Sequence, residues 1–134
     1  MRSKQFRGAA IVLACVLAGA AFAADVDAKL SSFKLATAEA NAAMAQIKDG
    51  PSALAMQARL DAALKKQRDA EAALNGELKK LDLKDPKDGK AMESAMGEIA
   101  KANEAMSKEQ VRILSNKDAG EVVHKSFDAA TAKK

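Results

Sequence analysis

From Asp25 onward the apolar positions of this chain recur in alternating steps of four and three. Val26, Leu30, Phe33, Thr37, Ala40, Met44 and Ile47 make the first stripe, the spacing of a helix that keeps one face inward as a heptad seam. It predicts a helix over about 25–48, with one threonine in its seam. "KDGPS" ends that helix: Gly50 can adopt the left-handed C-terminal cap, and Pro51 is pre-set for the first turn of the next helix.

The second stripe places Leu60, Leu64, Leu74, Leu78 and Leu81 on one face, with Ala53, Ala63 and Ala70 beside them and Gln57, Gln67 and Glu71 interrupting. It predicts a helix over about 52–81. Asn75-Gly76 is a turn dipeptide, but the leucines hold one register across it, so the helix is read as continuous. "DLKDPKDGK" is a loop in which Asp85 suits an N-cap, Pro86 the first helical position and Asp88 the capping-box partner.

The third stripe is Met92, Met96, Ile99, Asn103, Met106, Gln110 and Ile113. Asp118, with Glu121 three residues on, then resembles another capping-box start. A short last helix over about 119–132 turns Val122, Val123, Phe127 and Ala130 to one side. No stretch alternates apolar and polar residues over strand length. The expected fold is all-α: an antiparallel bundle of three long helices and a short C-terminal fourth, with coiled-coil-like packing. The repeated pattern A-x-A-N-x-A-M at Ala38–Met44 and Ala100–Met106 is explained by the alanine bias of the chain.

The N-terminus has a different pattern. "MRSKQFRG" carries Arg2, Lys4 and Arg7 with no acidic residue, and an uncharged apolar run follows that is too short to span a membrane comfortably. It ends in Ala21-Phe22-Ala23, the small-x-small pattern of a signal-peptidase site. Residues 1–23 are therefore read as a cleaved signal peptide and 24–134 as one helical-bundle domain delivered to the periplasm. "VLAC" at Cys15 loosely resembles a lipoprotein box, but Leu13 is bulky for it and the apolar run continues past the cysteine. With Cys15 removed, the remaining chain has no cysteine for disulfides, thiol chemistry or metal centres.

Charge then changes its meaning. Lysine and arginine total 22 against 18 acidic residues, and the three N-terminal cations account for most of that excess. Lys79, Lys80, Lys84, Lys87 and Lys90 cluster, but Glu77, Asp82, Asp85 and Asp88 lie among them. That is a solvated, self-compensated face rather than a nucleic-acid stripe. Beyond residue 23 only Phe33 and Phe127 are aromatic, leaving no stacking platform for bases. Alanine, the best helix former, dominates. Leu, Ile, Val and Phe are sparse, so each helix buries little area and the bundle should be slender. A protein partner or self-association would complete it, with no nucleic acid and no membrane contact after cleavage.

Candidate chemistry is thin. His124 is the one histidine, and Ser126, two residues on, lies at a different helical azimuth, so no nucleophile–base pair forms. The glycines at 89, 97 and 120 are isolated and make no phosphate loop. No catalytic residue, metal site or cofactor is assigned, and the chain is read as non-enzymatic. Methionine thioethers do bind cuprous copper in exported proteins. The alternative reading is therefore a small periplasmic haem- or copper-binding redox bundle using the methionines and His124. Met92 and Met96 stand one turn apart, and Met44 is the one methionine placed to pair with His124. The four-helix b-type cytochromes take a methionine from the start of the first helix, where this chain has "ADVDAKLSSF". The leading reading is a non-catalytic envelope adaptor or chaperone-like protein acting through its surface.

Overall fold

The computed structural model describes residues 25–132; residues 1–23, read above as a signal peptide, and Cys15 among them lie outside the described residues. Four helices form: α1 over 25–45, α2 Gly50–Leu78, α3 Pro86–Leu114 and α4 Lys117–Thr131. Among the described residues there is no strand, and no helix is long and apolar enough to cross a membrane.

Two apolar clusters fix the arrangement. One joins Met44 and Ile47 at the end of α1 to Ala53, Leu60 and Leu64 early in α2, and to Ile113, Ala119 and Val123. The other joins Val26 and Phe33 of α1 to Leu74 and Leu78 late in α2 and Ala95 early in α3. The chain thus runs up, down, up and down, and α4 lies along α2 in the same direction while touching α3. Because α4 is about half as long as its neighbours, one half of the bundle has four helices and the other three.

The first stripe matches the structure throughout: Val26, Phe33, Thr37, Ala40, Met44 and Ile47 are buried and Leu30 half-buried. In α2, Leu60, Leu64, Gln67, Leu74 and Leu78 are buried, and the helix passes through Asn75-Gly76 unbroken. On α3 one position departs. Met96 is exposed and Ala95 is buried in its place, so the seam runs through the smaller side chain.

The helix ends revise three expectations. Gly50 is the first residue of α2, not a left-handed cap. The cap is Asp49, whose carboxylate accepts from Ser52 N at 2.9 Å, while the Ser52 hydroxyl accepts from Asp49 N at 3.0 Å. This reciprocal pair satisfies two donors that the helix leaves open. It also explains why α2 starts two residues early. Asp85 does cap α3, accepting from Lys87 N at 2.9 Å. Asp88, however, turns back to accept from Asp82 N at 2.8 Å, pinning the α2–α3 loop instead of closing a capping box. Asn116, not Asp118, caps α4, accepting from Ala119 N at 3.1 Å.

Candidate functional site

The structure separates the residues that could have formed a ligand site. Met44 is fully buried in the four-helix cluster. His124 belongs to the same end of the bundle but faces outward, its side chain 70% exposed, with Nε2 3.3 Å from Asp128 Oδ2 one turn on. The two lie on opposite sides of the α4 packing face. Met92 packs against the three-helix cluster while Met96 is exposed, so they point apart. Among the described residues no group of three or more His, Cys, Asp or Glu side chains gathers as a metal site.

Three polar interruptions are buried. Thr37 and Gln67 lie between the two apolar clusters, one on α1 and one on α2, and Ser126 lies under α4. The hydroxyls of Thr37 and Ser126 and the Oδ1 of Asn41 are buried without a hydrogen-bond partner. Buried polar atoms normally find partners, since leaving one unmade costs about 1–3 kcal/mol. These three therefore weaken the middle of the bundle and the seat of α4.

Among the described residues, shallow grooves lie on the surface. One, of about 550 Å³, runs between α1 and α2 and carries Glu39, Arg59, Lys65, Lys66 and Asp69. Another, of about 430 Å³, separates α2 from α4 and is floored by Ser126 and Ala130. Their charges alternate in sign, and Lys66 is already held to Glu39 at 3.2 Å. A second cross-helix pair, Lys34–Glu98 at 2.9 Å, ties α1 to α3. Its hydrogen bond, and then its charge, hold the Glu98 carboxyl below the ordinary glutamate range. Likewise the Ser52 backbone N–H, and then the Ser52 hydroxyl, lower the pKa of Asp49.

The end of the bundle where α3 turns into α4 is the most elaborated region. Arg112 donates from Nη1 to Ile47 O at 2.9 Å and from Nη2 to Met44 O at 2.7 Å. It thereby ties α3 to the main chain where α1 ends: Ile47 lies just past the helix, and the Met44 carbonyl also accepts from Ile47 N at 3.0 Å; Glu109 lies 2.9 Å from the guanidinium. Asp118 sits so close to Gly50 that a Cβ on Gly50 would meet the Asp118 Cβ at 3.0 Å. A Cβ on Gly120 would meet Leu114 Cδ2 at 3.3 Å, so glycine allows α4 to fold tightly back on α3. Apolar side chains are nevertheless exposed here: Leu54 at 63%, Val111 at 69% and Leu114 at 57%. None of Arg112, Gly50 or Gly120 stands out by residue type as an end-tying group; the spacing of isolated glycines and one arginine carries no such signal. Compared with known proteins, the chain matches no family model, and neither a curated protein nor a solved structure matches it.

Proposed function

We propose that the chain is an exported, non-catalytic helical bundle that works in the periplasm by protein–protein contact, as an envelope adaptor or chaperone-like factor. The supporting observation is the exposed apolar surface at the end of α3, where Val111 and Leu114 stand nearly one turn apart. Neighbouring exposed apolar side chains are typical of contact surfaces. The outward His124 and inward Met44 favour this reading over a haem or copper site.

The test has two parts. N-terminal sequencing of protein recovered from the periplasm should find a chain beginning near Ala24; a chain beginning at Met1 or a lipidated Cys15 overturns the export reading. A photo-crosslinking side chain placed at Val111 should capture a discrete envelope protein in intact cells, and the same group at exposed Lys79 should not. Equal capture at both positions, or none at Val111, removes the contact surface.

A further inference from the structure

We propose that α4 is an exchangeable arm. Two copies of the chain dimerise head to head, each straightening its α3–α4 turn and seating its α4 in the other's slot. This rests on the interaction reading above and names a second copy as one partner.

The turn is nearly a helix already. Ser115 has φ −67° and ψ −20°, within the helical region. Asn116 alone is extended, at φ −101° and ψ 113°. Rotation chiefly about one torsion, the ψ of Asn116, would fuse α3 and α4 into a single helix from Pro86 to Thr131. What resists it is local: the Asn116 side chain capping Ala119 N, and Asn116 N bonded to Ile113 O at 2.9 Å.

The fully buried residues of α4 are small, Ala119, Gly120, Val123 and Ser126, while Val122, Phe127 and Ala130 pack half-buried beside them. Ser126 also carries its unpartnered hydroxyl into that interface. Exchange restores every one of these contacts in the partner's slot, so the balance is decided at the hinge and at whatever new surface forms.

Direction and new surface both agree with exchange. Gly50 beside Asp118 shows that α2 and α4 start at the same end of the bundle. A straightened helix leaves its own bundle at that end. It enters a facing copy at the corresponding end, so the arriving α4 runs in the direction that its slot requires. A two-fold axis across the bundle relates the copies, as closed dimers require. The ends brought together are those exposing Leu54, Val111 and Leu114.

The test reads which chain α4 is docked on. In protein carrying Cys15→Ser, the pair Gly50→Cys and Asp118→Cys places thiols where only a docked α4 can bond to α2, the Cβ atoms lying near disulfide range. Refolded at high concentration and then oxidised, it should give a covalent dimer on non-reducing electrophoresis, with a fraction that rises with concentration. Asn116→Ala removes the cap twice per dimer and should raise the dimerisation constant roughly 30-fold, as seen by sedimentation. Crosslinks confined within single chains, even where sedimentation detects a dimer, overturn the proposal, as does an Asn116→Ala variant that associates like the parent. Either result leaves capture at Val111 unaffected, whereas exchange without any captured envelope protein overturns the adaptor reading alone.

Discussion

Thr37→Val should stabilise the protein. Thr37 is 2% exposed and lies in α1 between Phe33 and Ala40. Its Oγ1 has no partner, although a helical threonine commonly bonds a carbonyl one turn back. An unsatisfied buried hydroxyl costs about 1–3 kcal/mol, while replacing it by an apolar group of the same shape removes that penalty. Valine has nearly the volume of threonine and a similar helix propensity, so neither a cavity nor a propensity change offsets the gain. The expected effect is a gain of about 1–2 kcal/mol, or several degrees in Tm for a domain of this size.

Thr37→Ser supplies the control. It keeps the hydroxyl and removes the methyl, so it should lose about 1 kcal/mol. Urea unfolding followed by far-ultraviolet circular dichroism measures both, with equal slopes showing that the unfolded state is unchanged. A valine variant less stable than the parent by more than about 0.5 kcal/mol would mean that the hydroxyl is satisfied, by water or a second chain, and that the middle of the bundle is not weakened as argued.

Five further outcomes are expected. Leu64→Asp should unfold the bundle, since Leu64 is 1% exposed and a buried unpaired carboxylate costs several kcal/mol against a small total. Lys66→Ala, with its half-exposed ion pair, should move stability by less than about 0.5 kcal/mol in the same urea assay. Arg112→Met should lose about 1–2 kcal/mol by removing two charge-assisted hydrogen bonds, to Ile47 O and to Met44 O, of which only Met44 O keeps another donor, and Arg112→Lys should recover only part because lysine cannot fork to both. Asp49 has a folded pKa below its unfolded value, so its stabilisation is full above the unfolded carboxylate range and disappears as pH falls through the lowered value. The stability difference between parent and Asp49→Asn should therefore shrink on acidification, and a difference constant with pH refutes the charged cap. His124→Ala should leave fold, absorbance and bound metal unchanged; a Soret band or retained copper lost in both His124→Ala and Met44→Leu would reinstate the ligand site.

How far pattern alone carried differs from helix to helix. Every seam position of α1 is inward because neighbours cover that face along its length, so large apolar side chains and burial coincide. On α3, pattern favoured Met96 over Ala95, but helices approach closely over small residues, and the alanine took the contact. Asn116 and Asp118 are both competent caps two residues apart; the packing of Asp118 against Gly50 decides between them. Arg112 was invisible for a stronger reason. Its acceptors are main-chain carbonyls 65 and 68 residues away, and a carbonyl has no sequence identity.

The same two residues explain why the helices are tied at one end. In an up-down-up-down chain, the C-termini of α1 and α3 and the N-termini of α2 and α4 share an end, which brings like ends of parallel helix dipoles together. Arg112, in the last turn of α3, places its cation on the carbonyls of α1. Asp118, in the first turn of α4, lies against the start of α2, a helix with no acidic residue in its own first turn. Each such contact is worth only about 0.3–1 kcal/mol at partial exposure. Together they favour this topology over one that reverses a helix. Among the described residues, the opposite end is joined by loop contacts such as Asp82 N to Asp88 at 2.8 Å and Lys84 N to Asp82 at 3.0 Å. If α4 left, α2 would lose the Asp118 carboxylate and Arg112 would remain, so the arm is secured from one side only. A partner's α4 arriving in the slot would bring its own Asp118 to the same place. Exchange therefore conserves the electrostatics of this end, so the Asn116 hinge and the new surface between the facing ends, rather than the slot, should set the dimerisation constant.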